Sequence, residues 1–75
     1  MKSMTCKQLG GACDVVFTAG TFEEIAALSK AHGEEMYKAK EPAHMQAMSK
    51  MMELMHNPED LQQWMADRRA EFDAL

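Results

Sequence analysis

The chain has 75 residues, 47% of them hydrophobic and 27% charged, with a formal net charge of -4. This is the composition of a single folded domain and not of a disordered or fibrous segment; a core of this size supplies only about 3 to 5 kcal/mol, so a staple would help. The acidic balance, without a basic patch, argues against nucleic acid as a partner.

No apolar run approaches the ~20 residues of a membrane helix, and the opening MKSMTCKQ lacks the apolar centre of a secretory signal. The expectation is a soluble cytoplasmic protein with no membrane partner. Reducing conditions there favour free thiols or a metal site over a disulfide.

In chain order, KSMTCK (residues 2 to 7) and CDVVFT (13 to 18) read as two short strands, separated by QLGGA, whose glycines allow positive φ. A turn centred between residues 9 and 10 would set Cys6 opposite Cys13 and Met4 opposite Val15, with both thiols on the buried face. Next, Thr21 and Glu24 in TFEE form a capping box for a first helix from Phe22 to about Lys38. Its apolar stripe is Phe22, Ile25, Leu28, His32 and Met36, with His32 facing the hairpin. Gly33 lies inside this helix and predicts a break or a close contact near His32.

Pro42 opens a second helix ending near His56, and Asn57-Pro58-Glu59-Asp60 caps and opens a third that runs nearly to Leu75. Met45, Met48, Met52 and Met55 face Leu61, Trp64, Met65, Arg68, Phe72 and Leu75, which predicts an antiparallel helical hairpin. The fold class is α+β, one domain over residues 1 to 75. Residues 1 to 40 form a ββα unit with the candidate metal site, and 41 to 75 a Met-rich helical hairpin.

Cys6, Cys13 and His32 follow the spacing C-x6-C-x18-H. Soft thiolates and an imidazole converging from separate elements suit tetrahedral Zn²⁺. The competing reading is two buried free cysteines with a core histidine, since cysteine packs well as a small apolar residue. Candidates for a fourth ligand are Glu35 and Met36, one turn beyond His32, and His44 at the start of the second helix. Water or a second chain are the others. Of the histidines outside the C-x6-C-x18-H pattern, His56 reads as a helix C-terminal charge and His44 as an exposed helix residue.

MTCKQLGGACD at residues 4 to 14, TFEE at 21 to 24, SKAHG at 29 to 33 and the tail from Pro42 with MMELMHNPE together resemble a bacterial family of unknown function described as predicted small metal-binding proteins. The resemblance implies that Cys6, Cys13 and His32 are ligands. Family members usually carry a further histidine five positions after the first, where this chain has Tyr37.

No H-E-x-x-H, C-x-x-C or nucleophile-base pattern is present, so no enzyme activity is expected. The nine methionines invite a Cu(I) reading, but a thioether stripe at helical spacing more simply builds a flexible core, which makes copper the weaker cofactor choice. Uncovered, the same methionines would offer a surface to a protein partner or to a second copy of the chain.

Overall fold

β-branched and apolar residues build the expected hairpin, in shorter strands. A computed structural model describes all 75 residues. Strand β1 (Lys2–Thr5) pairs antiparallel with β2 (Val16–Ala19), with Met4 opposite Phe17 and Thr5 opposite Val16. This register differs by two residues from the expected pairing of Met4 with Val15. The cause is the connection, which holds a 3-10 turn at Lys7–Leu9 where a tight hairpin loop was expected.

Met4, Phe17 and Ala19 form the buried face of the sheet, while Val15 and Val16 are exposed. On the open face, the Ser3 and Thr18 hydroxyls are 2.8 Å apart and pair across the strands.

Helix α1 (Phe22–Lys38) begins at Thr21, whose hydroxyl oxygen accepts from the Glu24 N–H at 3.2 Å. The Glu24 carboxylate returns to the Thr21 hydroxyl at 3.0 Å, so the box closes through side chains. The helix buries Phe22 and Ile25, then continues inward through Ala26, Ser29, His32, Gly33 and Met36. Leu28 falls off this line and is exposed. Gly33 neither breaks the helix nor touches a neighbour: a Cβ there would meet nothing within 4 Å.

A tight connection ends α1. Lys40 takes left-handed φ (53°), its N–H bonds the Tyr37 carbonyl, and the Glu41 N–H bonds the Met36 carbonyl, both at 3.1 Å. This is a Schellman motif with lysine at the position glycine usually takes. Glu41 thereby emerges as the N-cap of α2 (Pro42–Met55), with Pro42 in its first turn.

Asn57 caps α3 (Pro58–Asp73), its side-chain oxygen accepting from the Glu59 N–H at 3.1 Å. Only His56 and Asn57 separate α2 from α3, and the two helices pack together as a helical hairpin. The far end of α3 returns to the N-terminal unit. Phe72 is buried edge-to-face against Phe22 at 6.0 Å, Lys2 Nζ donates to the Asp73 carbonyl, and Arg69 pairs with Glu23 at 2.5 Å.

The core is small and one-sided: Met4, Cys6, Leu9, Phe17, Ala19, Phe22, Ile25 and Phe72, with His44 the one buried polar residue. The second helix is rolled relative to the expected stripe. Its inner face runs His44, Ala47, Met48, Met51 and Leu54, leaving Met45, Met52 and Met55 exposed.

Candidate metal centre

Two adjacent glycines shape the loop that carries the first thiol. Gly10 adopts φ 91°, a left-handed conformation that ends the 3-10 turn. Gly11 serves a different purpose: a Cβ there would lie 2.1 Å from Cys6 Sγ, so only glycine leaves room for the sulfur. The Cys6 carbonyl accepts from the N–H groups of Leu9 (3.1 Å) and Gly11 (2.8 Å), which curls the backbone around the thiol. Across the loop, the Cys6 N–H donates to the Val15 carbonyl at 2.9 Å and the Lys7 N–H to the Cys13 carbonyl at 3.1 Å. The two cysteines therefore stand at the mouth of the hairpin, outside the strand ladder.

Facing them are two imidazoles from different helices. His32 of α1 places Nε2 3.3 Å from Cys13 Sγ, and His44 of α2 places Nε2 3.7 Å from Cys6 Sγ. One ligand atom from each of Cys6, Cys13, His32 and His44 lies within 4.8 Å of the others. Metal–sulfur and metal–nitrogen bonds of about 2.3 and 2.0 Å at tetrahedral angles imply ligand–ligand edges of roughly 3.3 to 3.8 Å, which matches the two thiol–imidazole pairs. The rings meet edge-to-face at 5.3 Å, and Phe17 holds the other side of His32 at 5.7 Å. Cys6 and His44 are buried; Cys13 and His32 are half-buried.

The charges are arranged unequally. Desolvation opposes ionisation of Cys6, yet hydrogen bonds from the Cys13 backbone, His44 and the Ala12 backbone outweigh it and lower its pKa. Cys13 moves the other way: the Val15 backbone favours its thiolate, but desolvation, the Cys6 sulfur and Asp14 together raise its pKa. The Glu41 hydrogen bond raises the His44 pKa against the effect of burial, and the same contact lowers that of Glu41. Without a cation, Cys6 ionises more readily than an ordinary thiol and Cys13 less readily, opposed by burial and by the Cys6 sulfur. A divalent cation removes that opposition, because two thiolates balance its charge.

Cys6, Cys13 and His32 converge as the sequence predicted, and His44 completes the group. Glu35 is exposed, Met36 is half-buried in α1, and Tyr37, at the position where a second histidine was expected, is largely exposed. The reading of His44 as an exposed helix residue is overturned, since it is 5% exposed and lies behind the cysteines. Its sequence signal was the E-P-x-H stretch, which puts a carboxylate one turn before the imidazole at the start of a helix. A cavity of about 360 Å³ opens beside the centre, with Cys6, His32 and His44 in its wall and Met48, Met51 and Met52 around it.

No helix is long and apolar enough to cross a membrane. Comparison with protein-family models, curated proteins and solved structures finds no match. The chemistry of the site therefore rests on its geometry: two cysteines and two histidines from a loop and two helices are close enough together to hold one metal ion.

Proposed function

We propose that this is a small zinc-binding protein whose ion, held by Cys6, Cys13, His32 and His44, is structural and joins the hairpin loop to α1 and α2. The observation that carries the reading is the approach of all four ligand atoms to within 4.8 Å of one another. Two thiolates and two imidazoles suit Zn²⁺, and four protein ligands leave no open position for a substrate or a reactive water. The role assigned is thus folding rather than catalysis. Such a site substitutes for missing core, and structural zinc contributes apparent binding energies of about 10 to 16 kcal/mol in small domains. A reducing compartment such as the cytoplasm, where thiols remain available to a metal, is part of the same proposal, as is membership of the resembled metal-binding family. Cu(I) is the less suited cofactor, because two of the four gathered ligands are imidazoles and Met45, Met52 and Met55 are exposed.

Native mass spectrometry of tag-free protein prepared without chelator tests this directly. The expected result is one zinc per chain in the wild type and none in Cys13→Ser. An apo mass in zinc-supplemented wild type, or unchanged zinc in the variant, would overturn the reading.

A second reading is favoured by one observation: Met52 and Met55 are 63% and 55% exposed on a helix that does not bury them. In it, the Met-rich helices bind a protein partner or a second copy of the chain without any metal. It predicts a chelator-resistant fold and self-association that Met52→Lys abolishes, both measurable by sedimentation. A monomer at all concentrations would remove the self-association form of that reading.

A further inference from the structure

We propose that Glu41 is a positioning residue of the metal centre, holding His44 by Nδ1 so that Nε2 is presented to the ion. The inference rests on the four-ligand reading above.

The Glu41 carboxylate makes three contacts at once. Oε1 accepts from the Ala43 N–H at 3.2 Å, Oε2 accepts from the His44 N–H at 2.7 Å, and Oε2 also contacts His44 Nδ1. A helix cap needs only the first two. The third has a chemical consequence, because an ionised carboxylate only accepts hydrogen bonds. A hydrogen must therefore sit on Nδ1, so that when the ring is neutral the lone pair is on Nε2, the atom that faces Cys6 Sγ at 3.7 Å.

The shorter cap residues Ser, Asn and Asp also satisfy a helix start, but a longer side chain is needed to bond the backbone and still meet the ring. The preceding turn fixes where this glutamate stands, since the Glu41 N–H is tied to the Met36 carbonyl at 3.1 Å. The other imidazole lacks such help. His32 has a hydrogen bond only at Nε2, to Cys13, and its orientation comes from edge contacts with Phe17 and His44. Glu41 is thus the one protein group that fixes a ligand tautomer in this centre, and it couples the start of α2 to the ion.

Glu41→Ser and Glu41→Gln separate this role from capping. Serine retains an N-cap oxygen but cannot reach the ring; glutamine retains a cap oxygen and offers a neutral acceptor. The measurements are zinc affinity by competition with a chromophoric chelator at fixed pH, helix content of the apo chain, and the His44 tautomer from imidazole ¹⁵N shifts. We expect Glu41→Ser to bind zinc about 10- to 100-fold more weakly, with a smaller loss in Glu41→Gln. Helix content should be unchanged, and the Nδ1–H tautomer should lose its dominance in the serine variant. Unaltered affinity in Glu41→Ser would overturn the proposal. So would equal affinity losses in both variants accompanied by loss of apo helix, which would make Glu41 a cap alone. A wild type that takes up no zinc would instead overturn the four-ligand reading, and this inference with it.

Discussion

The two halves of the molecule are held by different forces. In residues 1 to 38, Met4, Phe17, Phe22 and Ile25 pack the sheet against α1, and Ile25 has no exposed surface. In α2 and α3 the only buried residues are His44 and Phe72, and both face the N-terminal half. Between the helices themselves the packing is only half-buried, through residues such as Met51, Leu54, Leu61 and Trp64. The ββα unit thus carries its own apolar core, whereas α2 is seated through an imidazole and α3 through one aromatic ring. A helix whose most buried side chain is polar takes its position from what that side chain binds.

The largest expected effect tests this division at the proposed zinc ion. Stripping zinc with a chelator should raise amide exchange throughout residues 42 to 55 far more than in β2 and α1, because structural zinc sites contribute on the order of 10 kcal/mol. Hydrogen exchange by mass spectrometry reads this, and equal deprotection of both halves would erase the contrast.

Gly11→Ala attacks the same centre from the loop side. Its Cβ would fall 2.1 Å from Cys6 Sγ, so the sulfur must move. Zinc affinity should drop at least as far as the roughly 10- to 100-fold seen when ligand orientation is disturbed. Isothermal titration measures it, and wild-type affinity would show that the loop relaxes freely.

Truncations compare the two packings directly. Ile25→Ala should cost about 2 to 5 kcal/mol in chemical denaturation, while Met52→Ala, at an exposed position, should stay within about 0.5 kcal/mol. A Met52 cost as large as that of Ile25 would mean the methionine face is covered in solution.

Acidity should move the apo and zinc forms in opposite directions. Glu41 has a lowered pKa, so its contribution is complete above the ordinary carboxylate value of about 4.3 and fades as pH falls. His44 has a raised pKa, so its contribution is complete below about 6.5 and fades as pH rises through the elevated value. The chelated chain should therefore gain most from this pair between these two values and lose melting temperature as pH rises through the elevated His44 value. Zinc affinity should climb over the same interval as the ligands shed protons. Parallel pH profiles would separate the pair from the centre.

The smallest effect is a gain. Gly33→Ala meets no neighbour and should stabilise α1 by about 1 kcal/mol without altering zinc uptake.

Residue order alone determined much of this architecture. Thr21, Pro42, Asn57 and Pro58 mark the helix starts because caps and N-terminal prolines act through bonds within one turn. The thiol, thiol and imidazole spacing likewise named three of the four residues that the fold gathers into one cluster. Strand register, the roll of α2 and the choice of His44 as the fourth member of the cluster were decided only in three dimensions. Register followed from a 3-10 turn that Gly10 ends in a left-handed conformation, with Gly11 beside it leaving room for the Cys6 sulfur. Periodicity in α2 favoured the methionines, but it could not register that Glu41 would satisfy a buried imidazole and so make His44 the inward residue. Local bonds are written in adjacent residues, whereas burial of a polar ligand depends on partners 31 and 38 residues away that only the folded chain brings together.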